Sequence, residues 1–401
     1  MNDRQKVAMD RLTEVAEGIY DALDRGDIPQ MTLPLRSKRN IEFDPMTQVW
    51  KYGSLKTTRT AKTTQGATTM LRTAYTTDFI NEMIRENKSS TLREMYYISE
   101  GWNAAKFHTQ DEGNLLAEDL ETISHCMRED FKLRPEESGA HVYGNVTFRT
   151  MTKKGMKDIN CMDDVSEQGF AVPYSVEKET FEIKSHDVKF IMALETGGMY
   201  ARLIENGFPE KAECCLVHLS GQPARSTRRL IKRLNEENGL PVVVFTDGDP
   251  WSFRIFASVA YGAIKTAHIS DYLATPTAQF IGITASDILN YDLPTDKLND
   301  KDIGALHAEL TDPRFNDEFW DSEIHAMLDM GKKAEQQAAW IMSRTRICPK
   351  NCRSLVCSEK HHNGTNAPGG TRGRMCQTYI RFLFYRVHGI LLKNPCARCA
   401  S

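Results

Sequence analysis

Apolar positions in the first 25 residues recur with a helical period: Val7, Leu12, Val15, Ile19 and Leu23 fall on one stripe. This predicts a helix over 4–25 whose apolar face needs a partner surface. Pro29, Pro34 and a Thr-rich stretch then break the pattern, so residues 1–73 read as a helix followed by an extended basic arm. From about Ala74 helical periodicity returns in three segments, 77–87, 92–105 and 113–131, followed by two short alternating patterns around 142–148 and 169–172. Three helices with a β wing form a common nucleic-acid-binding shape, and residues 74–175 therefore read as a winged-helix unit.

From Val188 the pattern becomes a strict alternation. Strands at 188–194, 213–219, 241–246 and 279–283 are separated by helices at 199–206, 226–237 and 251–264. Continuous apolar runs with short connections imply a parallel sheet covered by helices on both faces, and further helices at 300–310 and 317–337 close a domain over 185–343. The fold class expected is α/β plus winged helix. At 401 residues the chain exceeds the size at which a single core usually keeps growing.

Charge separates a tail from the body. Residues 344–401 hold eleven Lys and Arg against one acid, Glu359, for a net +10, which leaves −13 on the 343 residues before them. Cys348, Cys352, Cys357, Cys376, Cys396 and Cys399 also lie there. Their spacings match no standard zinc finger, and the tail is expected not to belong to the fold, for example as the product of a shifted reading frame. No apolar stretch is long enough to span a membrane and no secretory segment follows Met1, so a cytoplasmic, nucleoid-associated protein is expected.

Within the acidic body two basic stretches stand out as candidate nucleic-acid contacts, because attraction to phosphate is local. One is acid-free between Met46 and Thr77 and includes Lys56 and Arg59; the other carries Arg225, Arg228, Arg229 and Lys232 on an amphipathic helix with Leu230, Ile231 and Leu234 inward. Either could equally be a solvated helix or loop face.

The candidate chemistry begins with acids at strand ends. Pro241-Val-Val-Val-Phe-Thr-Asp247-Gly-Asp249 follows a second strand ending in Glu195 by about fifty residues. Ligands collect beyond the carboxyl ends of parallel strands, and three carboxylates gathered there suit a hard divalent cation such as Mg2+. Capping of the next helix by Asp247 or Asp249 is the rival reading. No close Cys/His partner suggests zinc, and neither common nucleotide-binding glycine loop is present.

Thr91-Leu92-Arg93-Glu94-Met95-Tyr96-Tyr97 opens with a capping box. Leu92, Met95 and Tyr96 share one helix face, whereas Tyr97 lies one turn from Arg93. Tyr96 is thus the better core residue and Tyr97 the better nucleophile, although a Tyr pair on a helix is commonly structural. An arginine nearby would hold a phosphate and favour a phenolate, whose unperturbed pKa is about 10.

Taken in order, Arg93-Glu-Met-Tyr-Tyr97, Leu-Glu195-Thr-Gly-Gly, Ser220-Gly-Gln-Pro-Ala-Arg-Ser-Thr-Arg-Arg229 and Phe-Thr-Asp247-Gly-Asp249-Pro resemble the A subunit of archaeal type IIB DNA topoisomerase VI. That family includes the meiotic double-strand-break transesterase. The resemblance covers about 74–338 and implies a winged helix carrying Tyr97 as nucleophile, followed by a Toprim domain. Its implications are one or two Mg2+ on Glu195 and Asp247 with Asp249 assisting, Arg93 positioning the phosphate, and a transient 5′-phosphotyrosyl link to each strand of duplex DNA. It further implies a homodimer in which Tyr97 of one chain faces the carboxylates of the other, and an ATP-hydrolysing B subunit in an A2B2 heterotetramer, ATP not being bound by this chain. The 4–25 helix is a candidate B-facing surface, with folding against its own body as the alternative. A hydrolytic Toprim nuclease and a non-catalytic DNA-binding partner are the competing functions. The family's usual ending is absent after Gly331-Lys-Lys-Ala-Glu-Gln-Gln-Ala338.

Overall fold

The computed structural model describes residues 1–134 and 140–341, together with Leu383 and Val387. Helix α1 (Asp3–Asp24) starts at a capping box between Asn2 and Gln5. Its Ala8 and Leu12 join Phe79, Ile80, Leu116 and Leu120 in one core, so the apolar stripe is covered by α2 (Thr64–Arg85) and α4 (Gln110–Ser124). The helix folds against its own body; Val7, Tyr20 and Leu23 remain exposed.

The supposed arm is also folded. Gln30–Pro34 pairs antiparallel with Lys56–Thr60, and Ile41–Asp44 with Val49–Tyr52. Met31 and Leu33 alternate inward, and the β-branched threonines between 57 and 60 suit a ladder, so the Thr-rich composition signalled strand where an extended arm was expected. Helix α2 begins at Thr64 rather than 77, capped by Thr63; its buried Thr73, Thr76 and Thr77 obscured the apolar period.

The β segments expected as a wing lie elsewhere. His141–Tyr143 and Phe170–Ala171 pair with each other and extend the edge of the large sheet. Between them β1 (Val146–Thr152) and β2 (Gly155–Asn160) form a hairpin joined by β3 (Phe181–His186) in a three-stranded antiparallel sheet. The strands beside α3 (Leu92–Ile98) are instead the short parallel pair Ser90–Thr91 and Leu133–Arg134.

The alternating half matches its pattern closely. Strands β4 (Phe190–Leu194), β5 (Cys214–His218), β6 (Val242–Phe245) and β7 (Gln279–Gly282) are parallel, in the order β5-β4-β6-β7. Both faces are buried: Ile191, Ala193, Val217 and Val244 point into one core, and Phe190, Met192, Leu194, Val243 and Phe245 into the other. The helix expected over 317–337 is Glu318–Met330, ended by Gly331 in the left-handed conformation (φ 62°). Leu383 and Val387, one helical turn apart, are 0% and 3% exposed in the second core. At these two positions the tail does join the fold; the rest of the Cys- and Arg-rich segment lies outside the described residues. No helix among the described residues is long and apolar enough to cross a membrane.

Helix α5 (Arg225–Asn238) corrects the expectation of an open basic face. Arg225 pairs with Glu121 (2.6 Å) and Glu129 (3.1 Å), and Arg229 pairs with Glu177 (3.1 Å) and lies 3.9 Å from the Tyr272 ring centroid. Lys232 donates to the Ala274 carbonyl and pairs with Glu236. Arg228 is buried, and that burial together with nearby Arg225 pushes its pKa down to about 10. The helix is amphipathic, but its cationic side is an internal interface with the N-terminal unit. Arg59 likewise pairs with Asp119, which leaves Lys56 as the exposed member of the earlier stretch.

Glu121 is the hub of that interface. Burial alone would push its carboxyl up, but Arg225 and Arg128 hold it well below the usual carboxylate range. It accepts hydrogen bonds from the Arg128 backbone (2.7 Å) and the Arg225 guanidinium, with His268 Nε2 at 3.3 Å. Glu121→Ala strands buried cations and is expected to destabilise the chain by about 3–5 kcal/mol in denaturant titration. An unchanged midpoint would mean Arg225 and Arg128 repartner at little cost.

Candidate active site

The nucleophile candidate sits on a helix set by local chemistry. The Thr91 hydroxyl accepts from Glu94 N (3.0 Å), while the Glu94 carboxylate accepts from the Ser90 hydroxyl (2.9 Å) and faces Thr91 N at 3.4 Å. These bonds satisfy donors that a helix start leaves open and hold α3 rigidly. Met95 is fully buried and Tyr96 packs against the same core, whereas Tyr97 is 57% exposed. The Arg93 guanidinium carbon lies 5.9 Å from the Tyr97 ring centroid.

The carboxylates lie at the ends of the adjacent strands β4 and β6. Asp247 N donates to Glu195 Oε2 (3.1 Å), which ties the two strand ends together. Asp249 is the N-cap of the helix Pro250–Ala260, accepting from Ser252 N (2.7 Å). For Asp249, then, the capping reading holds, which occupies one of its oxygens. Gly248 between them exchanges backbone hydrogen bonds with Ala334, and a β-carbon there would meet the Ile283 carbonyl at 3.1 Å, so the close approach requires glycine.

Sequence reasoning missed what holds this cluster. Gln336 is fully buried: its backbone N–H donates to Asp247 Oδ1 (2.8 Å), its side-chain oxygen accepts from Thr196 N and Oγ1, and its amide nitrogen donates to the Phe245 carbonyl. One residue thereby fixes the end of each metal-facing strand. Glu335 beside it lines, with Asp247, Asp249, Asp296 and Lys333, a cavity of about 180 Å³. The signal was an acid and an amide just beyond a helix end, which carries no period.

Burial pushes the Asp247 carboxyl up to about 7, aided by the charges of Glu195, Asp249 and Glu335 and opposed by the bond from Gln336. Glu195 is also raised, chiefly by burial. Lys333, the nearest cation lining the cavity, is engaged with Asp302 (2.9 Å). Half-buried oxygen donors with no cationic partner among the described residues suit a hard divalent ion. Among those residues, however, no three His, Cys, Asp or Glu side chains close into a ready coordination set. Gln336→Ala is expected to weaken Mg2+ binding about 10–100-fold by calorimetry, since removing a support for a ligand typically costs that much. Unchanged affinity would show the clamp to be purely structural.

No hydrogen bond, ion pair or ring contact among the described residues joins Tyr97 to Glu195, Asp247 or Asp249; its ring partners are Tyr96 and Arg93. The two halves of the chemistry sit in different units of the chain.

Comparison with known proteins divides the chain similarly. Residues 68–133 match the family described as type IIB DNA topoisomerase, 136–187 an all-beta domain in the alpha subunit of DNA topoisomerase VI, and 190–348 the Toprim domain shared by topoisomerase 6 A subunits and Spo11. The second match fits the strands displaced from the expected wing. The A subunit of a type 2 DNA topoisomerase 6 from Archaeoglobus fulgidus is 54% identical over 338 residues, 84% of this chain and 93% of the relative. The corresponding proteins of Methanosarcina mazei and Haloarcula marismortui are each 54% identical over 333 residues, covering 83% and 82% of this chain and 90% of each relative. With so much of both sequences aligned, and a Toprim domain under the carboxylate-bearing strands, the chain belongs to the family of topoisomerase 6 A subunits, the DNA-cleaving subunits of type IIB DNA topoisomerases.

Proposed function

We propose that this chain cleaves and rejoins duplex DNA by transesterification, with Tyr97 as nucleophile. The observation that carries the reading is the exposed Tyr97 on a capped, core-anchored helix beside Arg93, in a chain whose second unit gathers acids at two strand ends. The Tyr97 hydroxyl gives up its proton and its oxygen attacks a backbone phosphorus; the 3′ oxygen departs and takes a proton, leaving a 5′-phosphotyrosyl ester. The reverse attack by the 3′ hydroxyl reseals the strand, so no external energy is needed for joining. Arg93 binds the phosphate and orients it for in-line displacement. Magnesium held by Glu195 and Asp247, with Asp249 beside them, supplies positive charge to the phosphate and the departing oxygen.

In this reading the helices of 64–124 with their short strand pair act as the winged-helix-type unit that presents Tyr97, and residues 190–341 supply the metal. The placement of nucleophile and acids in separate units supports a symmetric homodimer in which Tyr97 of one chain meets the acids of the other. The naming of the relatives as one kind of subunit supports an ATP-hydrolysing partner in an A2B2 assembly acting on the nucleoid. The test is incubation with the partner protein, ATP, Mg2+ and supercoiled plasmid. Protein attached to DNA 5′ ends supports the proposal, whereas cleavage without any covalent adduct favours a hydrolytic nuclease.

A further inference from the structure

The β1–β2 hairpin ends in a tip that the chemistry above does not use. Register pairs Arg149 with Asp158, Met151 with Met156, and Thr152 with Gly155, so the turn is Lys153-Lys154. Strand β3 covers β1 only as far as Thr150, opposite Phe181, and the tip projects past it. Phe148 points into the core, and alternation puts Arg149 and Met151 on the opposite, outward face. Met151 and Met156 are 57% and 43% exposed there. No burial explains two facing methionines in water.

The charge of the tip is equally one-sided. Residues 150–157 carry Lys153, Lys154 and Lys157 and no acid. The nearest acid, Asp158, is held by Arg149 in a two-pronged pair at 2.6 and 2.9 Å. The three lysines have no ion-pair partner among the described residues. The turn is closed without them, by the Thr152 hydroxyl, which donates to the Gly155 carbonyl and accepts from Lys154 N. Lysine ammonium groups are therefore free, on a rigid support.

We infer that this tip is a second contact with duplex DNA, in which Lys153, Lys154 and Lys157 meet backbone phosphates and the Met151–Met156 pair packs into a groove. A two-stranded ribbon has the width of the major groove, and methionine is among the apolar side chains that proteins wedge against base steps. Charge complementarity selects nucleic acid as the occupant, and the inference rests on the proposed action on DNA. Because the buried cations of α5 are engaged internally, the hairpin supplies exposed positive charge that the helix does not.

The experiment uses the full chain carrying Tyr97→Phe, so that bound DNA stays uncut, and measures affinity for a labelled duplex across a salt series. Lys153→Ala/Lys154→Ala/Lys157→Ala is expected to lower the slope of log affinity against log salt by up to about 3 and to weaken low-salt binding at least about tenfold. Met151→Ala/Met156→Ala should weaken binding about three- to tenfold with the slope unchanged. Thermal melting checks that each variant folds; the tip residues are exposed, and both should melt as the parent does. Unchanged slope and affinity in the triple variant overturn the inference, as does a triple variant that binds DNA normally but no longer assembles with a second copy or the partner protein. Failure of the chain with Tyr97 intact to form a covalent adduct would instead strike at the proposed function, leaving the binding comparison valid.

Discussion

Tyr97→Phe is expected to abolish covalent attachment of the chain to DNA, with strand cleavage falling at least about 10⁴-fold, because no other group replaces a missing nucleophile. Removing one hydroxyl from a side chain that is 57% exposed leaves the fold intact. The Met95 and Tyr96 side chains that anchor α3 are untouched, as is the Thr91–Glu94 cap. Melting temperature and duplex binding should therefore match those of the parent, separating chemistry from folding. Tyr96→Phe is the informative control, because Tyr96 packs on the core and should retain cleavage. If Tyr97→Phe cleaves and Tyr96→Phe does not, the nucleophile has been assigned to the wrong ring. If both cleave without an adduct, hydrolysis is the chemistry.

Asp247→Asn is expected to lower Mg2+-dependent cleavage about 10²–10³-fold, the scale of losing one group that stabilises developing charge. Its effect on stability should run the other way. Asp247 is half-buried near Glu195, Asp249 and Glu335, and its charge is disfavoured by burial and by those neighbours. An isosteric amide removes the repulsion and still accepts the bond from Gln336 N. The metal-free variant should melt no lower than the parent, and Mg2+ should raise its melting temperature less. Full activity in Mg2+ would remove Asp247 from the site.

Mixing the two variants tests how the active site is assembled. If Tyr97 acts on the carboxylates of the other chain, a dimer of one Tyr97→Phe and one Asp247→Asn chain contains one intact site and one doubly defective site. Nicking of one strand should then return on mixing. If each site lies within one chain, every site in the mixture keeps a defect and no cleavage returns.

Local order along the chain was sufficient for the parallel-sheet half. A strand buried on both faces reads as a continuous apolar run, and Phe190–Leu194 and Val242–Phe245 emerge as such, with Glu195 and Asp247 just beyond their ends. The capping box at Thr91–Glu94 is equally local, and the helical period alone turns Tyr96 inward and Tyr97 outward. These features depend on neighbours within a few residues, where spacing and hydrogen-bond geometry leave few alternatives.

Long-range pairing was not decided this way. Nothing in His141–Tyr143 or Phe170–Ala171 distinguishes a wing from the edge of a distant sheet, because backbone groups pair with any strand brought alongside. The basic run on Arg225–Asn238 reads the same whether its cations meet phosphate or the buried Glu121, Glu129 and Glu177; only packing of the N-terminal unit against that helix selects the acids. Gln336 reaches Asp247 across 89 residues of sequence, carried there by the turn at Gly331 and the backbone bridge between Gly248 and Ala334. Residue order alone therefore specified which groups could do chemistry and on which helix or strand end each stands. Which charges neutralise one another and which stay exposed was settled by the packing of distant segments, because the strength of a charge depends on burial and on partners far away in the chain.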